Sequence, residues 1–258
     1  MQAKPSLEDT LSLMRDLRAR CDWDAAQTHE SLRPYLIEEA YEVDDAIRSG
    51  DDTKLREELG DLLLQVLFHA VLAEERNAFT MSDVAAGFIA KMKARHPHLY
   101  GDGQKQPWEQ MKAKRRDSIV DGLPADLPAL HRAFRLQDRA AGVGFDWPDV
   151  EGPISKVEEE LAEVRVELAA APPSESGPPK YDAQHERIEG ELGDLLFAVV
   201  NLCRKAGVHP ALALDKANVK FATRFGQVER MASDRGLTVG KASLEELDAL
   251  WDEIKKLE

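Results

Sequence analysis

The sequence predicts an all-α protein built of two repeated helical units, each a small helix bundle. Three observations carry this. The hexapeptide Glu-Leu-Gly-Asp-Leu-Leu occurs twice, at 58–63 and 191–196. Each copy follows an acidic cluster of one pattern, Glu38-Glu39-Ala40-Tyr41-Glu42 and then Glu159-Glu160-Leu161-Ala162-Glu163. Finally, apolar residues recur at helical spacings, and no alternating strand pattern is sustained anywhere.

The first helix is expected over about 6–19, with Ser6 as N-cap and Glu8 and Asp9 in its first turn. Cys21-Asp22-Trp23-Asp24 interrupts the periodicity and reads as a loop. A second helix over about 31–48 stops near Ser49-Gly50, and a third runs from about 53 to 76. A fourth covers about 81–95, before His96-Pro97-His98 breaks the pattern. A basic segment at about 108–116 leads to Asp121-Gly122-Leu123-Pro124-Ala125-Asp126-Leu127-Pro128, whose turn residues suggest a linker. The expected division is 1–120 and 121–258.

The second half opens with a helix over about 128–140 and the loop Gly142-Val143-Gly144-Phe145-Asp146-Trp147-Pro148. Helices follow at about 153–170, 183–206, 209–232 and 243–257. Leu36, Ala40, Val43 and Ile47 form one stripe, and Val157, Leu161, Val164 and Leu168 repeat it in the same phase. Between the acidic clusters the halves differ in length: Glu42 and Glu58 are 16 positions apart, Glu163 and Glu191 are 28. The extra residues include the proline-rich stretch 171–179, expected to be an exposed loop.

Composition narrows the function. Of 258 residues, 43% are hydrophobic and 32% charged, which suits a soluble globular protein. A net charge of −14 argues against a nucleic-acid polymer or an anionic membrane as partner. Cys21 and Cys203 stand far apart and outside any metal-ligand spacing, so a disulfide framework is not expected. With no apolar signal core at the N-terminus, a cytoplasmic setting is expected.

The paired acidic clusters point to metal. Residues three or four apart share a helix face, which groups Glu39 with Glu42 and Glu58 with Asp61. The short Gly50-Asp51-Asp52 connection makes those helices antiparallel neighbours, so four carboxylates can converge. Glu160, Glu163, Glu191 and Asp194 repeat the arrangement. Like charges packed together repel unless a divalent cation joins them, and an all-oxygen set favours Mg²⁺, with Mn²⁺ as a substitute. A di-iron bundle would need Glu-x-x-His motifs, and none of the seven histidines has Glu three positions before it. Glu38 and Glu159, lying further round, are either solvated or positioned to orient a metal-bound water.

Magnesium held by carboxylates suits a phosphate substrate, which also needs fixed cations. Lys216, Lys220 and Arg224 lie four apart on one face, with Asn218 off the row. Trp251 and Lys255 could add an aromatic face and a further phosphate contact. The first half offers only Lys91-Met92-Lys93-Ala94-Arg95-His96-Pro97 after its clusters, without the Asn and cut short by proline. The second half is therefore expected to carry most of any activity. Trp23 and Trp147 sit in loops of similar position, as core packing or as a wall against a base.

Longer motifs resemble one family. The run Trp23-Asp24-Ala25-Ala26-Gln27-Thr28-His29-Glu30-Ser31-Leu32-Arg33-Pro34-Tyr35, leading into the first clusters, is similar to the MazG nucleoside triphosphate pyrophosphohydrolases. So are Arg95-His96-Pro97-His98, Val143-Gly144-Phe145-Asp146-Trp147 and Lys216-Ala217-Asn218-x-Lys220-Phe221. The resemblance covers nearly the whole chain. It implies an all-α homodimer that hydrolyses nucleoside triphosphates to monophosphate and pyrophosphate with magnesium. It also implies metal ligands at Glu160, Glu163, Glu191 and Asp194, and nucleotide contacts at Lys156, Glu159, Lys220, Arg224 and Trp251. The expected mechanism is in-line attack of a metal-activated water on the α-phosphorus, with Glu159 orienting or deprotonating the water. Asp22 stands where the family pattern often has proline, and the 171–179 stretch differs from the usual connection; neither touches a proposed ligand. A binding module that senses nucleotide or metal without turnover is the alternative.

Overall fold

The computed structural model describes residues 4–104, 117–170 and 181–256, and among them every regular element is a helix. The chain divides into two compact units, Met1–Lys105 and Gln106–Glu258. The basic segment at 108–116 and the proline-rich stretch at 171–179 lie outside the described residues.

The first unit contains α1 (Leu7–Arg20), α2 (Asp22–Ala26), α3 (Arg33–Ser49), α4 (Asp52–Glu75), α5 (Met81–Arg95) and α6 (Pro97–Tyr100). Ser6 caps α1 in a capping box with Asp9, and Thr80 does the same for α5 with Asp83. The Cys21–Asp24 stretch, expected as a loop, is largely the short helix α2; Arg18 donates to the carbonyl of Asp24 within it and to that of Gln27 just after it. Gly50 takes a left-handed φ of 69° and ends α3, and Asp51 then accepts from Thr53 N and Lys54 N to start α4. With only that turn between them, α3 and α4 form a hairpin. Leu11, Met14, Leu32, Leu67, Phe68, Val71 and Leu72 make the core on which it rests.

The second unit contains α7 (Ala129–Gly142), α8 (Glu151–Ala170), α9 (Ala183–Lys205), α10 (Pro210–Asp234) and α11 (Leu244–Lys255). Helices α8 and α9 repeat the hairpin despite the longer connection. Asp182 caps α9 through Gln184 N and His185 N, while Gln184 and Arg187 both reach Glu167 near the end of α8. Those bonds hold the register that the short turn holds in the first unit. Val228 and Ala232 of α10 pack on Leu250 and Ile254 of α11. Arg139 of α7 donates to Ile119 O and Asp121 O. The stretch expected to begin as a linker near 121 is thus tied to the second unit, and the break falls earlier.

The stripes read from the sequence are buried only in part: Val164 is buried and Val43 and Val157 half-buried. Leu36 and Ile47 stay exposed on α3, as do Leu161 and Leu168 on α8. The face turned into the second hairpin carries Pro153, Glu160 and Val164, and on α3 the one buried residue is Ala46. Each hairpin covers only one strip of its helix, so helical spacing alone cannot choose which strip. The consequence is chemical: Glu160 sits inside the helix pair rather than at its border.

Phe68 is 1% exposed at the centre of the first core. Phe68→Ala is expected to destabilise this unit by about 3–5 kcal/mol, measured by chemical denaturation.

Candidate functional site

Both hairpins bring carboxylates together. Glu39 of α3 meets Glu58 and Asp61 of α4, and Glu160 of α8 meets Glu191 and Asp194 of α9; in each set the ligand oxygens lie within 4.8 Å of one another. Glu42 and Glu163, expected in the same sets, fall outside these groups of three, although each lies near enough to its neighbour, Glu39 or Glu160, for the charges of the two carboxyls to bear on proton binding. Glu38 and Glu159 are exposed.

Charge crowding is visible in the proton affinities. Burial first, then the charges of Asp61 and Glu42, hold the Glu39 carboxyl above the usual carboxylate range. Desolvation and Glu160 raise Glu163 in the same way.

The second set is the deeper one. Glu160 is 5% exposed. Its Oε1 lies 2.6 Å from Lys156 Nζ, which also lies 2.8 Å from Glu159 Oε1. These two bonds, to Glu159 first, push the Lys156 pKa up and keep it charged. Glu160 Oε2 is buried with no partner at all. A buried carboxylate oxygen without a donor costs free energy, and its neighbours here are two more carboxylates. This donor set fits a hard divalent cation: opposite ligands of an octahedral magnesium stand about 4.2 Å apart, close to the spread of these oxygens. The first set has no counterpart of Lys156, since Tyr35 stands four residues before Glu39.

A cleft of about 830 Å³ opens beside Lys156, Glu160 and Asp194. Its walls include Phe145, Trp147 and Phe197, with Gln137, Asn201 and Arg204 among the polar groups. The Val143–Trp147 loop is built to stand there. Gly144 turns it with a left-handed φ of 93°. Asp146 takes Arg204 and Lys205 as partners, and Lys205 also donates to Trp147 O. Burial pushes the Asp146 carboxyl up, but these two cations more than offset it and hold it below the usual range. The Trp147 ring lies on Gly152, where a Cβ would come within 2.4 Å of it.

The remaining sequence candidates lie elsewhere in the unit. Arg224 stands over the Trp251 ring at 5.9 Å, and Phe221 packs on the same ring. Lys216, Asn218 and Lys220 are exposed along α10, and Lys255 is 3.6 Å from Asp252. None of these lines the cleft. Sequence reading had marked Trp147 but not Gln137, Phe197, Asn201 or Arg204. Nothing local distinguishes these from ordinary helix residues; Phe197, Asn201 and Arg204 share one face of α9, and only the packing of α7 brings Gln137 to it.

The fold and site define an all-α protein with a carboxylate cluster that could hold a metal ion at each of two helical hairpins. Residues 27–100 match the family model described as the MazG nucleotide pyrophosphohydrolase domain. The nucleoside triphosphate pyrophosphohydrolase/pyrophosphatase MazG of Thermotoga maritima is 43% identical over 257 residues, covering 96% of this chain and 95% of that one. The nucleoside triphosphate pyrophosphohydrolase of Escherichia coli K12 is 40% identical, covering 95% and 94%. That of Mycobacterium tuberculosis is 44% identical over 149 residues, 54% of this chain and 46% of its own. The chain belongs to the MazG family.

Glu39 and Glu163 have raised pKa values in the folded state. The stability they contribute is therefore greatest below the ordinary carboxylate pKa and is lost as pH rises through their raised values. A divalent cation opposes that loss. Adding Mg²⁺ is expected to raise the Tm more at about pH 7 than at about pH 4.5, and Glu160→Gln is expected to remove the second set's share. A Tm indifferent to Mg²⁺ at both pH values would contradict a metal centre.

Proposed function

We propose that this protein hydrolyses nucleoside triphosphates of broad base and sugar type to the monophosphate and pyrophosphate, with magnesium, in the cytoplasm. The observation that carries this is the buried, unpartnered Glu160 oxygen, set among carboxylates at the mouth of a cleft of nucleoside size. The names of the relatives agree with it.

In this reading Glu160, Glu191 and Asp194 hold the cation, with Glu163 beside them, and Glu39, Glu58 and Asp61 with Glu42 form the first-half counterpart. Magnesium bound there would lower the pKa of a water and neutralise charge on the phosphates. Lys156 steadies Glu159 and Glu160 against their own repulsion and presents a cation to the triphosphate. Glu159, held by Lys156 at the exposed edge, orients the water for in-line attack on the α-phosphorus and takes its proton. Lys220 and Arg224, with Lys255 and Asn218, line no part of the cleft, so in this proposal they meet the pyrophosphate only once it departs, beside the Trp251 ring.

The second half carries most of the activity in this proposal, because it combines the deeper carboxylate with Lys156 and the cleft. Glu160→Gln with Glu163→Gln is expected to lower turnover about a hundredfold or more, while Glu39→Gln with Glu42→Gln leaves the larger part. The reverse order of effects in a pyrophosphate-release assay would overturn the assignment. Chromatography of the products must give monophosphate plus pyrophosphate; diphosphate plus orthophosphate would sink the reaction itself.

A homodimer belongs to the same proposal. Ile37, Tyr41 and Ile47 on α3 and Leu161, Val166 and Leu168 on α8 are exposed apolar side chains on helices whose other face is already packed. Light scattering is expected to give about twice the 28.8 kDa chain mass, and a stable monomer at micromolar concentration would count against it.

A further inference from the structure

We infer that Asp146 and Gly152 are positioning residues for the substrate: between them they fix the Trp147 ring at one station on the cleft wall, where it holds a base by its flat face. This rests on the nucleotide reading above and adds to it the groups that set the base end, through a contact that every base can make.

Both backbone polar groups of Trp147 are taken. Its N–H donates to Asp146 Oδ1 at 2.9 Å, and its carbonyl accepts from Lys205 Nζ. Asp146 is in turn anchored to α9, by Arg204 and by Lys205 Nζ, which lies 3.1 Å from Oδ2. The ring itself is seated on α8. A Cβ on Gly152 would stand 2.5 Å from Cδ2 and 2.9 Å from Cγ of the indole, nearer than packed carbons approach. Gly152 lies within α8 and has no left-handed backbone. The close approach of the ring is therefore what requires glycine there. So held, Trp147 still lines the cleft and is 45% exposed, an exposure that fastening the loop leaves unused.

The station is aligned with the carboxylates. Gly152, Lys156 and Glu160 stand four apart on one face of α8. Asp194, Asn201 and Arg204, seven and three apart, share a face of α9. Because the hairpin makes the two helices antiparallel, both rows lead from the carboxylate set to the Asp146–Trp147 pair. Eight residues of helix rise about 12 Å, a span for phosphate, sugar and base in sequence. Stacking on an aromatic ring is tolerant of base identity, since every base has a π-face, and this suits the broad base type proposed above. A loop that only fastened α8 to α9 would matter for stability and not for substrate affinity.

The test measures pyrophosphate release from ATP, GTP, CTP and UTP by the full-length protein with Mg²⁺. Gly152→Ala is expected to raise KM at least about fivefold for all four, with kcat within about twofold of wild type, because the lost contact serves ground and transition state alike. Asp146→Asn, which keeps the shape and removes the charge, is expected to act in the same way. Trp147→Ala is expected to raise KM by about five- to a hundredfold. In a Trp147→Ala background, Gly152→Ala is expected to add less than about twofold, since Gly152 acts only through the ring. Unchanged KM in a folded Gly152→Ala protein, a shift confined to one base, or additive effects in the double variant would each overturn the inference. If neither Gly152→Ala nor Asp146→Asn folds, Trp147→Ala, at its exposed position, decides: unchanged KM overturns the inference. Where no pyrophosphate is released, the calorimetric Kd of ATP takes the place of KM. The same pattern of shifts would then sink the proposed hydrolysis and keep this inference; hydrolysis with KM unmoved by all three substitutions would do the reverse.

Discussion

Like charges held close between two helices are the constraint on which this structure turns. Two carboxylates about 4 Å apart repel by about 1 kcal/mol in water and several times that near a protein surface. Each hairpin holds three within 4.8 Å. Something must hold the helices in that register against the repulsion. In the first unit it is the left-handed Gly50 turn and the Asp51 cap; in the second it is the Asp182 cap with Gln184 and Arg187 on Glu167. The same outcome is reached by two different devices, which is why connections of unequal length end in equivalent sites.

The two sets share their carboxylates but not their surroundings. Glu160 is buried and half-neutralised by Lys156, with its second oxygen unpaired. Glu39 is only partly buried and has Tyr35 where a lysine would stand. Around the second set the Val143–Trp147 loop is tied down by Arg204 and Lys205 and seated on Gly152, which gives the cleft a fixed aromatic wall. A metal set next to a rigid cleft can position a substrate, and positioning with charge neutralisation is most of what phosphoryl transfer requires.

Membership of the MazG family rests on identity across nearly the whole chain, with the family model itself matching residues 27–100. That match contains Glu39, Glu42, Glu58 and Asp61. The deeper site lies in the other half.

The sequence by itself determined the long helices, the Ser6 cap and the pairing of acidic clusters, because these depend on residues within a turn or two of one another. Ser6, Thr80, Asp51 and Asp182 each act on backbone groups within three positions. The carboxylate spacing likewise follows from 3.6 residues per turn. What lay beyond it was which strip of α3 and α8 would be covered, since Leu36 and Ile47 fit a buried stripe as well as Ala46 does. Gln137 was equally out of reach: it meets the Phe197, Asn201 and Arg204 face only because α7 lies on α9, 60 residues away along the chain for the Gln137–Phe197 bond. Hydrogen-bond complementarity across such distances has no local pattern to announce it, and only the tertiary structure decided it.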